Sequence, residues 1–376
     1  MKTTTTLLFT LFITFYSYTQ TTYVPDDIFE QALIDLGYDT GALDDYIPTA
    51  NINTITELDV QNKGISDLTG IEDFLGLTKL ICNNNSLTTI DISNLLLLEE
   101  FTCSNNQLTE INVTNNTLLK ILDCWKNPIN TLDISTNTLL TFLQCAENNL
   151  SILNINNNNL LQTLSCGTNN LSSLDVSSKL GLRYLFCNDN NLSEMDVSNN
   201  TLLWNYYVYD NSITSIDLSN NTELRRVRCQ NNSISTLNLK NGNNTNINQF
   251  FAYGNPNLLC IDVDDKIYST INWTSIDTQT FFSEDCALAL SNTKETIQSD
   301  FLIYPNPVNE ILTIDFSNAI SSEVTIKIYD LLGKLILEEE INNQKNLINV
   351  SKLQSGNYFL KIEKDNTTTG KMIVKK

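Results

Sequence analysis

The chain has 376 residues, enough for two or three domains, and its 43 acidic residues against 22 basic ones give a net charge of -21. This charge repels nucleic acids and anionic membrane surfaces, so neither is expected as a partner. The chain contains no histidine. It therefore lacks the residue needed for Ser-His-Asp or Cys-His catalysis and for every zinc motif that uses imidazole.

Residues 1–19 are predicted to form a secretory signal peptide. A lysine gives the start a positive charge, Leu7 to Phe15 form a short apolar core, and Ser17 and Thr19 are small residues suited to cleavage before Gln20. The apolar run is too short to span a bilayer, which argues against a membrane anchor. No later segment is long and apolar enough to cross a membrane, so no membrane span is expected.

Residues 20–54 are predicted to form an N-terminal cap that contains a short helix. Pro25, Asp26 and Asp27 are typical of a helix start, because acidic side chains stabilise the N-terminus, and Gly37 ends the helix. Such a helix would cover the open apolar end of the repeats that follow. Its apolar residues with helical spacing are Ile28, Phe29, Ala32, Leu33 and Leu36.

A period of 21 residues dominates the segment 55–258. A fixed period of this length is typical of a solenoid, in which each repeat, here called a coil, buries its apolar face against its neighbours. Asparagine lies three residues after the main site in eight successive coils, from Asn85 to Asn232. That main site is occupied, in ten successive coils, by Val60, Cys82, Cys103, Cys124, Cys145, Cys166, Cys187, Val208, Cys229 and Ala252.

Each coil carries two apolar segments with the alternation of a strand. Leu98-x-x-Phe101-x-Cys103 places its apolar residues on one wall, and Leu108-x-x-Ile111-x-Val113 repeats the pattern on the opposite wall. We therefore predict a mainly β solenoid of about ten short coils with strands on both walls. The pattern resembles the leucine-rich repeat family, and in particular its nested short class in which cysteine replaces the third leucine. That resemblance implies ligand recognition along a concave sheet.

The cysteines are predicted to behave in two different ways. Stacking in register places the seven repeat cysteines about 4.8 Å apart with parallel side chains, whereas a disulfide needs Cβ atoms about 3.8 Å apart that face each other. These thiols should stay reduced and pack as small buried apolar groups. Cys260 and Cys286 flank a non-repetitive C-terminal cap, predicted at 259–286, and should form a disulfide in a secreted protein. The small, polar segment 287–299 is predicted to be a linker.

Residues 300–376 are predicted to form a separate small β-sandwich, because three segments alternate as half-buried strands do. Their motifs are similar to those of the C-terminal sorting domain of the type IX secretion system. The resemblance implies a Bacteroidetes-type organism, recognition by the type IX machinery, and a final location that is secreted or on the outer-membrane surface. The motifs are Tyr304-Pro305-Asn306-Pro307-Val308, Tyr329-Asp330-x-x-Gly333-Lys334, Gly356-x-Tyr358 and the basic end Lys371 to Lys376.

The outward positions of the first wall predict the ligand-binding face. They are polar in the first coils and become aromatic and arginine-rich in the last ones. Large exposed apolar patches usually serve binding, and Tyr, Trp and Arg dominate hot spots, unless a cap or a neighbouring subunit covers them. We predict a recognition or adhesion protein that binds a protein or a polysaccharide and needs no cofactor or metal. Its predicted binding residues are Trp125, Phe142, Tyr184, Phe186, Tyr207, Tyr209, Arg226, Arg228, Phe251 and Tyr253.

Several alternatives stay open at this point. A carbohydrate hydrolase could use two carboxylates, although no pair stands out from the acidic background, and a passive surface layer needs no ligand at all. Calcium could bridge Asp262, Asp264 and Asp265 in the cap, or an outward row on the second wall. The simpler interpretation is that the row accepts hydrogen bonds from nearby turn residues. The row consists of Asp91, Asn112, Asp133, Asn154, Asp175, Asp196, Asp217 and Asn238.

Overall fold

The structure is a computed structural model, and it describes residues 20–294, 301–316, 324–331, 333–364 and 367–376. The predicted signal peptide lies outside the described residues, as does the end of the predicted linker. The chain divides into two compact units, Met1–Cys286 and Ala287–Lys376, which are described separately. Within the described residues, no helix is long and apolar enough to cross a membrane.

The N-terminal helix α1 spans Asp27–Asp35, close to its predicted position. Its N-cap is Asp26, whose Oδ1 accepts a hydrogen bond of 2.9 Å from the Phe29 backbone N–H. Phe29 is fully buried and joins the core of the coils, so the helix caps the solenoid as expected, whereas Ile28 and Leu36 are exposed. Two short antiparallel strands that the sequence analysis did not identify flank the helix: β1 (Thr21–Tyr23) and β2 (Tyr46–Pro48).

The first wall of the solenoid is a ten-stranded parallel sheet with one strand per coil. Strands pair in register, so that Leu80 lies beside Phe101 and Phe101 beside Leu122. The middle residue of every strand is buried. The strands are β3 (Glu57–Asp59), β4 (Lys79–Ile81), β5 (Glu100–Thr102), β6 (Ile121–Asp123), β7 (Phe142–Gln144), β8 (Thr163–Ser165), β9 (Tyr184–Phe186), β10 (Asn205–Tyr207), β12 (Arg226–Arg228) and β14 (Gln249–Phe251).

The second wall corrects one detail of the predicted fold, because it forms strands only toward its C-terminal end. In the earlier coils, residues such as Leu108 and Val113 are fully buried as predicted, but the backbone between them is irregular and forms no strand. Alternating apolar residues fix which side chains point inward, and they do not by themselves require a backbone hydrogen-bond ladder. The parallel strands of this wall are β11 (Ser215–Asp217), β13 (Thr236–Leu239), β15 (Cys260–Val263) and β16 (Phe281–Ser283).

An asparagine ladder satisfies the buried turn after each strand of the first wall. Asn106 Nδ2 donates to the carbonyl oxygens of Cys82 in the preceding coil and of Cys103 in its own coil, both at 3.0 Å. Its Oδ1 accepts a hydrogen bond of 3.0 Å from Leu87 N. The predicted structural role of these asparagines is therefore confirmed.

A second asparagine ladder, which the sequence analysis did not identify, runs through the opposite side of the coils. Asn137 Nδ2, for example, donates to Val113 O at 2.9 Å and to Asn116 O at 2.8 Å. Lys179 replaces asparagine in one coil, is fully buried, and donates from Nζ to Asn159 Oδ1 at 2.8 Å. Burial lowers the pKa of this amine. The asparagines of this ladder are Asn116, Asn137, Asn158, Asn200 and Asn221.

The C-terminal end of the solenoid is closed by helix α2 (Lys266–Asn272) and a disulfide. Cys260 and Cys286 are bonded, and the seven repeat cysteines are free and buried, so both cysteine predictions are confirmed. Trp273 packs on Phe250 with ring centroids 4.7 Å apart. Helix α3 (Cys286–Lys294) occupies much of the predicted linker, where Ala and Leu alternate directly after the disulfide and favour helix formation.

The second unit contains two antiparallel sheets whose buried side chains share one core, as a small β-sandwich requires. One sheet orders its strands β17-β18-β21 and the other β20-β19-β22-β23. The strands are β17 (Phe301–Tyr304), β18 (Ile311–Phe316), β19 (Val324–Tyr329), β20 (Leu335–Ile341), β21 (Lys345–Asn349), β22 (Gly356–Lys364) and β23 (Thr367–Lys375).

Candidate functional site

The outward side chains of the ten-stranded sheet, called here the sheet face, are polar in the first coils and pair with one another. Lys79 Nζ lies 3.0 Å from Glu100 Oε1, and Lys120 Nζ lies 2.6 Å from Glu99 Oε2. The Glu100 hydrogen bond is the largest influence on the pKa of Lys79 and raises it. These charges neutralise each other, so this part of the sheet face offers little unpaired charge to a ligand.

The sheet face of the last coils carries aromatic side chains that contact one another across strands β9, β10, β12 and β14. The ring centroids of Phe186 and Tyr207 lie 5.0 Å apart in an edge-to-face arrangement, and those of Phe251 and Tyr253 lie 6.5 Å apart. All four rings remain partly exposed. We call this group the C-terminal patch; its members are Tyr184, Phe186, Trp204, Tyr207, Tyr209, Arg226, Arg228, Phe251 and Tyr253.

Arg228 occupies the middle of the C-terminal patch. Its guanidinium carbon lies 4.8 Å from the Tyr207 ring centroid and 5.1 Å from that of Phe251, so two rings hold the cation by cation–π contacts. Burial raises the pKa of the neighbouring Tyr209, while the Arg228 cation acts in the opposite direction. Arg228 therefore links the aromatic side chains of adjacent strands into one surface.

The ten predicted binding residues lie in two groups on the sheet face. Tyr184, Phe186, Tyr207, Tyr209, Arg226, Arg228, Phe251 and Tyr253 belong to the C-terminal patch. Trp125 and Phe142 lie on coils nearer the N-terminus, and Trp125 is approached by Lys126 Nζ at 5.6 Å from its ring centroid. The small side chains of β8 and Gly167 separate these two residues from the patch.

Trp204 belongs to the C-terminal patch, although the sequence analysis did not include it. It precedes β10, is 37 % exposed, and meets the Tyr184 ring edge-on at 6.0 Å between centroids. The Arg183 guanidinium lies 5.7 Å from the Trp204 ring centroid. The available signal was the 21-residue period itself, since the residue before each strand forms its own column and Arg183, Trp204 and Arg225 are successive members.

The carboxylates considered for calcium binding already accept backbone hydrogen bonds. Asp196 Oδ1 accepts a bond of 2.9 Å from Ser198 N, and Asp175 and Asp217 make the same contact with the serine two residues on. These bonds lower the pKa of Asp175 and of Asp196. In the cap, Asp262 Oδ1 accepts from Cys286 N at 2.9 Å. The structure thus assigns the row the turn-stabilising role of the simpler interpretation.

One acidic group was not anticipated. The carboxylates of Asp27, Glu30 and Asp45 lie within 4.8 Å of one another. The two oxygens of the buried Glu30 accept hydrogen bonds from Asp44 N at 2.9 Å and from Asp45 N at 3.1 Å. Glu30 therefore serves to hold the loop before β2 against helix α1.

The thiols of the seven repeat cysteines, called here the cysteine ladder, are unreactive. Burial is the largest influence on the pKa of each repeat cysteine and raises it, to about 12 for Cys166 and for Cys229. A thiol must ionise to act as a nucleophile or a metal ligand. The ladder is accordingly a packing element.

Comparisons with known proteins agree with this architecture. Residues 302–376 match the family described as secretion system C-terminal sorting domain. Internalin J from Listeria monocytogenes is 42 % identical over 71 residues, which cover 19 % of this chain and 8 % of that protein. Internalin C2 from the same species has a TM-score of 0.53 at 23 % identity, covering 57 % of this chain and 99 % of that one. The plant peptide hormone receptor RGFR1, solved in complex with RGF2, has a TM-score of 0.51 at 19 % identity, covering 63 % and 46 %.

The chain therefore has a leucine-rich repeat solenoid whose fold is similar to that of an internalin, and a type IX sorting domain follows it at residues 302–376. The sorting domain marks a secreted or cell-surface protein.

Proposed function

We propose that this protein is a cell-surface or secreted recognition protein that binds a partner protein on its C-terminal patch. The observation that carries the proposal is the patch itself, where large side chains from four adjacent strands contact one another and stay partly exposed. Tyr, Trp and Arg dominate protein-binding hot spots. A soluble surface seldom exposes such a group without a use. The plant receptor of similar fold, solved with its partner, gives a precedent for recognition by this architecture.

The sorting domain supplies the second half of the proposal. Residues 302–376 are recognised by the type IX machinery, which carries the protein across the outer membrane and leaves it on the cell surface or in the medium. The solenoid and this domain have separate cores, so delivery and recognition can be performed by different parts of one chain.

The experiment is a binding array of proteins and glycans probed with the chain from residue 20 onward. The double variant Tyr207→Ser/Tyr209→Ser should bind the partner at least 10-fold more weakly, a loss of about 1.4 kcal/mol, with an unchanged melting temperature. Lys79→Ser/Ile81→Ser is the matched control, because it changes two outward residues of β4. An equal loss of affinity in both variants would show that the binding face lies elsewhere. Binding to glycans and to no protein on the array would show that the ligand is a polysaccharide.

A further inference from the structure

We infer that the partner segment bound at the C-terminal patch is an extended acidic peptide, and that Arg226 and Arg228 hold its carboxylates. This inference rests on the proposed function and adds to it the chemical class of the ligand. It follows from where the chain places its arginines, from what surrounds them, and from the hydrogen bonds that they leave unmade.

The chain has four arginines, and all of them lie in the last coils at or beside the sheet face. They are Arg183, Arg225, Arg226 and Arg228. Within the described residues, none of them forms an ion pair or donates a side-chain hydrogen bond. By contrast, Lys79 and Lys120 on the first coils are each paired with a glutamate. The chain has a net charge of -21, so acidic residues are abundant. Arginines that remain unpaired in such a chain indicate a surface that is available to an acidic ligand.

Arg226 and Arg228 are two residues apart on β12, and their side chains therefore leave the same face of the sheet. Arg226 is exposed, and the register sets it beside Asn205 and Gln249 on the neighbouring strands. Arg228 lies between Tyr207 and Phe251, so its guanidinium plane is held before any ligand arrives. Little side-chain entropy is lost when a carboxylate binds to a guanidinium group that is already ordered.

A buried hydrogen-bond donor and a buried acceptor at the patch have no partner among the described residues. Arg228 Nε is buried without a partner among the described residues, and the same holds for Oε1 of Gln230, a side chain only 7 % exposed. A peptide supplies what both lack, because its carboxylates accept from guanidinium and its backbone N–H groups donate to an amide oxygen. Small adjustments of the rings on binding would open these atoms to the ligand.

The surroundings indicate where the acidic segment lies. Asp189 and Asp210 are exposed in the turns that follow β9 and β10, and their charges oppose an anion there. The turn after β12 carries Asn231 in the same position. We therefore place the carboxylates over β12 and β14, with the aromatic rings of β9 and β10 contacting apolar parts of the same segment.

The test is calorimetric titration of the chain from residue 20 onward with a ten-residue oligoglutamate peptide at low and at physiological salt. Binding should weaken with salt, and a ten-residue oligoglutamine should not bind. Arg226→Gln/Arg228→Gln should lower the affinity for oligoglutamate at least 10-fold, whereas Lys120→Gln, on a paired lysine, should leave it unchanged. Since the whole chain repels acidic peptides, binding of this probe reports a local site.

Three further measurements keep the inference falsifiable. The single variant Arg226→Gln removes an exposed side chain, so it tests the idea without disturbing the Arg228 stack. Arg228→Lys keeps the positive charge but removes the planar guanidinium group. This variant should bind oligoglutamate more weakly than the native chain and more tightly than Arg228→Gln. Absence of oligoglutamate binding, equal binding by the double arginine variant, or tighter binding of a sulfated oligosaccharide would each overturn the inference. A partner from the array that needs Tyr207 and Tyr209 but neither arginine would overturn it while leaving the proposed function intact.

Discussion

The first and last coils of the solenoid have the same interior and opposite surfaces. In both regions a small buried apolar residue, in most coils cysteine, follows each strand. The asparagine three residues after it makes the same bonds, as Asn106 and Asn232 do. On the sheet face, however, the first coils pair lysine with glutamate, whereas the last coils present arginines among aromatic rings. A solenoid repeat therefore constrains the inward positions coil by coil and leaves the outward ones free to specialise.

This comparison predicts, first, that equivalent substitutions in the interior lower the free energy of unfolding by the same amount in both regions. Asn106→Ala and Asn232→Ala should each lower the free energy of unfolding by about 3 kcal/mol, because each leaves a buried backbone N–H and two carbonyl oxygens without their partner. Denaturant unfolding of the two variants measures the effect. The exposed Thr117→Ala is the control, with an expected change of less than about 0.5 kcal/mol. A gap of more than about 1 kcal/mol between the two asparagine variants would show that the interiors differ.

The cysteine ladder offers a second, smaller test through alkaline pH. Burial raises the pKa of Cys166 from 9.0 to about 12, so its contribution to stability is complete below pH 9 and is lost as the pH rises toward 12. The loss approaches about 1.4 kcal/mol per pH unit for one thiol once the unfolded thiol is fully ionised, above about pH 10. Cys166→Val removes this titration, and Val208 shows that the site accepts valine. The variant should therefore lose about 1.3 kcal/mol less than the native chain between pH 10 and pH 11.

Cys229→Val extends this test to the other region, because burial raises the pKa of Cys229 to about 12 as well. The two variants should flatten the pH dependence of unfolding equally. If Cys166→Val and the native chain lost the same stability over this range, the thiol would not be shielded from water as the structure places it.

The period in the sequence was enough to predict the cysteine stack, the asparagine ladder and the reduced thiols, because inward positions must repeat for the coils to stack. The disulfide was predictable for a different reason, since Cys260 and Cys286 lie off the period. Features set by turn geometry were not predictable in this way. The period places Trp204 in a column with Arg183 and Arg225, but the direction of its side chain depends on the turn before β10. Lys179 interrupts the second asparagine ladder and so hides the period of that ladder.

Contacts between outward side chains were also beyond the sequence analysis. Alternation placed Tyr207, Arg228 and Phe251 on one face, but it contains no information on which rings would hold the guanidinium. The separation of Trp125 and Phe142 from the patch, by contrast, can be read from the sequence, because the outward residues between them are the small Thr163, Ser165 and Gly167.

The smallest expected effect concerns a backbone turn that is common to both regions. One residue per coil, after the cysteine site, adopts a left-handed conformation, with φ of 52° at Thr168 and 55° at Asn231. Asparagine tolerates this region, whereas a β-branched side chain is strained there. Thr168→Asn should therefore stabilise the chain by about 1 kcal/mol. Thr168 Oγ1 donates to Asp189 Oδ2 in the following coil, and an asparagine can also bond to a neighbour in this column, since Asn231 Nδ2 donates to Asp210 Oδ1 in the preceding coil at 2.7 Å.

Asn231→Thr is the reverse variant, and it should lower the free energy of unfolding by a similar amount, because it places the same strain in the last coils. Thermal or denaturant unfolding of both variants measures the pair. If the two changes in the free energy of unfolding have opposite signs and similar sizes, the turn is equivalent in the two regions even though their surfaces differ. If Thr168→Asn destabilised the chain, the threonine hydroxyl would be contributing more than its bond to Asp189, and the backbone of this coil would differ from that of its neighbours.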